Sequence, residues 1–150
     1  MRIESYQQEH FETCMQIIQS NTPKYILPIE HLDFKNYLLK ENKTYFVFFK
    51  NNNLVACGGY GLNETKTKAG LCWGLVHRKY HKQGYGSRSL KYRLNHIMIN
   101  YPEIEIHLDT SQHTHQFFEK FGFITKQITK NGYGEGLDKY DMTINKDSNL

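Results

Sequence analysis

Cysteine and proline are scarce in this chain, with three of each among 150 residues. Cys14, Cys57 and Cys72 are odd in number, lie in apolar runs and show no Cys-x-x-Cys spacing. That pattern argues against a disulfide framework or a redox or metal site, and for buried free thiols in a reducing compartment. No apolar run approaches the roughly 18 residues of a membrane-spanning helix, and Met1-Arg2-Ile3-Glu4-Ser5 lacks the apolar segment of a secretion signal. A cytoplasmic protein is the expectation. An excess of one charge is also missing. The formal charge of +4 suits an anionic ligand but is too mild to argue for nucleic acid. Internal repeats, low-complexity tracts and linkers are absent. Aromatic residues, by contrast, are plentiful: eleven Tyr and nine Phe within a chain that is 39% hydrophobic. That is enough apolar matter for one domain over residues 1–150 with a real core.

Hydrophobic periodicity gives the order of elements. Arg2 to Tyr6 reads as a strand, and Phe11, Cys14, Met15 and Ile18 recur at helical spacing over 8–20. Asn21-Thr22-Pro23 breaks that helix, and Pro28 opens a second. Thr44 to Phe49 and Leu54 to Tyr60 pair as a hairpin around Asn51-Asn52-Asn53. Leu71 to Val76 reads as a buried strand. A long helix follows, with Leu90, Leu94, Ile97 and Met98 on one face and Arg88, Lys91 and Arg93 on others. Ile104 to Leu108 is a strand and Gln116 to Phe121 a short helix stopped by Gly122. Phe123 to Thr129 and Tyr140 to Ile144 are the last strands, joined by a flexible loop over Asn131 to Gly136. The order β-α-α-β-β-β-α-β-α-β-β mixes an antiparallel half with a β-α-β crossover. A mixed α/β fold is expected, its central sheet flanked by helices.

The most informative stretch is His81-Lys82-Gln83-Gly84-Tyr85-Gly86-Ser87, between a strand and a helix. Unpaired N–H groups at a helix start face outward at the positive end of the dipole, and glycine lets the backbone approach a phosphate closely. Gly74 stands inside an apolar strand, where glycine marks a bulge or a close approach.

Val76 through Ser87 resembles the signature of the GNAT N-acetyltransferases, in which Arg/Gln-x-x-Gly-x-Gly/Ala opens a helix; His81 departs from the first position. Phe117-Phe118-Glu119-Lys120-Phe121-Gly122-Phe123 is similar to the family's Leu/Phe-Tyr-x-Lys-x-Gly-Phe segment. The resemblance covers nearly the whole chain. It implies a mixed, mostly antiparallel sheet of about six or seven strands with about four helices and two splayed parallel central strands. It also implies acetyl-CoA as co-substrate, no metal, a primary-amine acceptor and, commonly, a homodimer. In its terms, backbone groups of Leu75, Val76 and His77 pair with the pantetheine arm, and N–H groups of Lys82, Gln83, Gly84, Tyr85, Gly86 and Ser87 hold the pyrophosphate. Gln112 or Ser111 takes the place of an Asn that contacts the CoA arm, with Gln112 the ligand and Ser111 a cap.

The catalytic residues are less legible. The family's usual base is a Glu on the central strands, but Gly70 and Leu71 offer no acid. His107 lies near where some members place the base, and an imidazole suits proton transfer near neutral pH, although a structural histidine fits the sequence equally well. The usual general acid is a Tyr where this chain has Phe118, which can only wall the CoA site; Tyr133 and Tyr140 are the candidate substitutes, with a packing or substrate-wall role the plainer reading of each. Arg78, Lys79 and Lys82 cluster beside the glycine loop, as a solvated face or as contacts to the CoA phosphates; Glu30, Asp33 and Glu135 have the charge to attract a cationic amine, though surface solvation accounts for each more simply. Two readings follow: an N-acetyltransferase acting by direct transfer, and an acyl-CoA-binding module without efficient catalysis.

Overall fold

The computed structural model describes residues 1–144. Its elements run β1 (Arg2–Ser5), α1 (Phe11–Ser20), α2 (Glu30–Leu39), β2 (Thr44–Lys50), β3 (Asn53–Leu62), β4 (Lys68–Val76), α3 (Tyr85–Asn100), β5 (Glu105–Thr110), α4 (His115–Glu119), β6 (Phe123–Gly134) and β7 (Leu137–Ile144). This is the order read from the sequence. The strands form one sheet in the order β1-β2-β3-β4-β5-β7-β6. Every neighbouring pair is antiparallel except β4 and β5, which are parallel because α3 crosses between them.

Two cores sandwich the sheet. β2 is apolar at consecutive positions, so its period-two alternation serves both faces. Phe46 and Phe48 meet Leu90, Leu94 and Ile97 of α3 on one side. Tyr45, Val47 and Phe49 meet Cys14, Ile17 and Ile18 of α1 and Phe34 and Leu38 of α2 on the other. Each fully buried side chain of this size contributes about 1.5–3 kcal/mol relative to exposure. Cys14 and Cys57 are buried, Cys72 is half-buried, and all three are free thiols.

Two local expectations change. Asn131 to Gly134 belongs to β6, so the flexible loop contracts to the turn around Glu135 and Gly136. The brace is local: the Asn131 N–H donates to Asp138 Oδ1 (2.9 Å), and the Gly136 N–H donates to Asn131 Oδ1 (2.8 Å). Arg93, expected off the apolar face of α3, is instead buried against the sheet. Gly58 and Gly74 leave its guanidinium the room: a Cβ at either would stand within 3.0 Å of it, at 2.9 Å from Cζ and 2.8 Å from Nη2 respectively.

Candidate active site

The pairing of β4 with β5 covers only Lys68↔Glu105, Ala69↔Ile106 and Gly70↔His107. Beyond it the strands part, and a cleft of about 1100 Å³ opens between them. The cleft runs from the start of α3, past the middle of β4, to the α1–α2 segment and Tyr133.

At one end lies the glycine loop. Lys82 (φ 61) and Gly84 (φ 87) are left-handed, which turns the chain sharply enough to start α3 facing the cleft. Gly84 is the N-cap and no side chain caps the helix, so its first N–H groups have no side-chain acceptor. Nothing lies within 4 Å of where a Gly84 Cβ would be, so this glycine serves conformation and open approach, not internal packing. Arg78, Lys79 and Lys82 are exposed beside the loop. Cationic side chains and helix N–H groups together make an anion site.

In the middle, β4 is bulged. Its register against β3 shifts between Cys57 and Gly59, and Trp73 (φ 47) carries the left-handed backbone. The sequence placed this irregularity at Gly74. The structure divides it: Trp73 makes the bulge, while Gly74 makes the close approach to Arg93. Trp73 packs on Phe34, ring centroids 5.0 Å apart, and faces the cleft.

A family model for the acetyltransferase (GNAT) domain matches residues 4–146. The chain belongs to the GNAT family. Solved GNAT structures share the fold at low identity. A putative acetyltransferase from Desulfovibrio desulfuricans is 15% identical with a TM-score of 0.79, covering 95% of this chain and 97% of its own. The ribosomal-protein-S18-alanine N-acetyltransferase from Escherichia coli is 17% identical with a TM-score of 0.79, covering 99% of each chain. An aminoglycoside 6'-N-acetyltransferase complexed with coenzyme A is 15% identical with a TM-score of 0.76, covering 99% of this chain and 100% of that one. No curated protein matches the chain.

Within this GNAT cleft, the expected residues fall unevenly. Lys82, Gly84, Tyr85, Gly86 and Ser87 line it, as do Leu75, Val76 and Phe118. Two of the expected pantetheine contacts are already engaged: the Val76 carbonyl accepts from Asn21 Nδ2 (3.0 Å) and pairs with His81 Nε2 (2.8 Å), and the His77 N–H donates to Val55 O (2.9 Å). His81, the departure from the signature, thus ties the loop back to the end of β4. Gln83 is exposed and its amide donates to Lys79 O (3.3 Å).

Gln112 does not reach the cleft. Its amide donates to Gly136 O (2.9 Å) and accepts from the Asp138 N–H (2.8 Å), holding the β6–β7 turn. Ser111 and Thr114 line the cleft instead, and Ser111 Oγ accepts from the His113 N–H (3.2 Å), capping the turn into α4.

The end of the cleft beside Tyr133 is acidic. Glu30, Asp33 and Asp109 line it, and the Tyr133 hydroxyl donates to Asp109 Oδ1. Burial, then that hydrogen bond and the Asp109 charge, push the Tyr133 phenol far above its usual range. In this arrangement the hydroxyl proton is directed at Asp109. Burial also raises the Glu30 carboxyl, with Asp109 and Asp33 adding to it against a hydrogen bond from the Leu27 N–H. Tyr140 stacks on His115 (4.3 Å).

His107 lies at the apex of the fork, on exposed strand surface, with its ring over Gly70. A Cβ on Gly70 would stand 2.9 Å from His107 Cε1 and 3.2 Å from Nε2. The imidazole occupies the space a β4 side chain would fill, on the strand that lacks the family's acid. Sequence reasoning missed Asp109 and Arg93. Asp109 is tied to Tyr133 by strand order alone, and Arg93 was signalled only by glycines in two apolar strands.

Proposed function

We propose that this GNAT protein transfers an acyl group, acetyl in the simplest case, from a CoA thioester directly to the primary amine of an acceptor. The observation that carries the reading is the left-handed Gly84 N-cap, which opens α3 onto the cleft between the parted strands β4 and β5. Likeness to a solved acetyltransferase complexed with coenzyme A supports the same donor class. The pyrophosphate rests on the N–H groups of Lys82 through Ser87, with Arg78, Lys79 and Lys82 around it, and the arm runs along β4 toward Gly74.

An ammonium group is drawn to Glu30, Asp33 and Asp109 and must lose a proton to attack, since a free alkyl amine titrates near pH 10. His107, standing in for the missing acid of β4, takes that proton through water. The amine nitrogen then bonds to the thioester carbon, the carbon–sulfur bond breaks, CoA departs as thiolate, and the second proton on nitrogen passes through solvent to that thiolate, leaving a neutral amide and the free thiol. A thiol titrates near 8.5, so it leaves without a side-chain acid; Phe118 is compatible with that. Tyr133 positions Asp109 and walls the acceptor. Calorimetry with free CoA tests the donor assignment: saturable binding at one site is expected, and no binding would overturn it.

A further inference from the structure

Arg93 and Ser89 are polar groups of the cleft that the chemistry above leaves unused. They lie one turn apart on α3, 5% and 2% exposed, and both line the cleft. Of the five N–H donors of the Arg93 guanidinium, two have protein partners and both bonds are long: Nε to Ser89 O at 3.3 Å and Nη1 to Gly59 O at 3.4 Å. No carboxylate among the described residues forms an ion pair with it. Ser89 Oγ is buried with no hydrogen-bond partner among them. An unpaired buried guanidinium is among the most unfavourable groups a fold can carry, and apolar replacements are often neutral or stabilising. Plugging the bulge explains the bond to Gly59. It explains neither the unpaired Ser89 hydroxyl nor the need for a cation where an apolar chain would fill the space.

We propose that the cleft takes a CoA thioester whose short acyl chain ends in a carboxylate, of the malonyl or succinyl class, and that Arg93 and Ser89 bind that carboxylate. The inference rests on the acyl-CoA reading and names its acyl class. The donor carries the anion because of where the cation sits. Arg93 is on the same helix as the phosphate loop, roughly 12 Å along it at 1.5 Å per residue, under the middle of β4, where Gly74 is open to the cleft. The acceptor end carries Glu30, Asp33 and Asp109, which would repel an acceptor carboxylate. A guanidinium and a hydroxyl give a distal carboxylate charge-assisted hydrogen bonds for which the methyl end of acetyl has no acceptor.

The test is calorimetric binding of free CoA, acetyl-CoA and succinyl-CoA to the wild type, Arg93→Met, Arg93→Lys and Ser89→Ala. The expected result is succinyl-CoA binding at least about tenfold tighter than acetyl-CoA to the wild type, as one charged hydrogen bond allows. That ratio should fall to near one in Arg93→Met and be partly kept in Arg93→Lys. Acetyl-CoA binding as tightly as succinyl-CoA would overturn the proposal, as would a preference that survives Arg93→Met. If Arg93→Met does not fold, the ratio in Ser89→Ala decides: a reduced preference supports the proposal and an unchanged one contradicts it. Failure of free CoA to bind the wild type would overturn the acyl-CoA reading itself and the inference with it, whereas CoA binding without acyl preference would overturn the inference alone.

Discussion

The imidazole of His107 fills the space above Gly70, with Cε1 2.9 Å from where a Gly70 Cβ would stand. The two residues are paired neighbours on β5 and β4, the last pair before the strands part. A histidine reaching over from one strand thus covers a glycine on the other, at the fork where the cleft begins.

Replacing His107 with Gln is expected to lower turnover by about 10²–10⁴, the range of general base catalysis, and to flatten the acid side of the pH–rate profile while CoA affinity changes little. Gly70→Ala is expected to displace the ring and lower turnover in the same way. Steady-state rates across pH check both, and a His107→Gln profile identical to that of the wild type would remove the base assignment.

Gly84 is left-handed with no atom near its missing Cβ. Gly84→Val is therefore expected to fold, at a conformational cost of about 1–2 kcal/mol, and to weaken CoA binding by at least about tenfold. Thermal melting and calorimetry measured together separate the two effects. Unchanged CoA affinity would contradict the phosphate-loop assignment.

Tyr133→Phe removes the hydroxyl that holds Asp109. The expected result is a raised KM for the acceptor with kcat reduced less than about tenfold, since a true general acid would cost about 10²–10⁴ in kcat. A large fall in kcat at unchanged KM would instead identify Tyr133 as the acid.

Burial raises the pKa of Glu30, so just above the ordinary glutamate range the folded protein keeps a proton there that the unfolded chain releases, and at higher pH the carboxylate is ionised at a cost to the fold. Stability is therefore lost as pH rises from the ordinary glutamate value, about 4.3, through the raised folded value. Glu30→Gln keeps an acceptor for the Leu27 N–H (2.9 Å in the native pair) and is expected to raise Tm at neutral pH, the gain vanishing below pH about 4. Melting curves from acid to neutral pH test this, and a pH-independent difference would contradict it.

What was legible in the sequence follows from how local each signal is. The glycine loop and the Phe117–Phe123 segment are grammar of one turn each, and element order follows from periodicity, so strand and helix sequence and family emerged together. Gly74 announced a close approach, but the residue approaching it did not announce itself: Arg93 sits beside the apolar stripe of Leu90, Leu94 and Ile97, and a charged residue next to such a stripe reads as solvated. Asp109 and Tyr133 meet only because β7 pairs with both β5 and β6. Gln112 had the right donors and acceptors for a ligand, yet the β6–β7 turn uses them. Long-range pairings of this kind leave no mark on the spacing of residues.

The most direct test of acyl transfer is thiol release from acetyl-CoA and succinyl-CoA across a panel of primary amines, with the amide product followed by mass spectrometry. The expected result is thiol released only when an amine is present, in equal amount to amide formed, and lowered in Gly84→Val at limiting acyl-CoA. Tight CoA binding with no thiol release across the panel would contradict it and leave an acyl-CoA-binding protein.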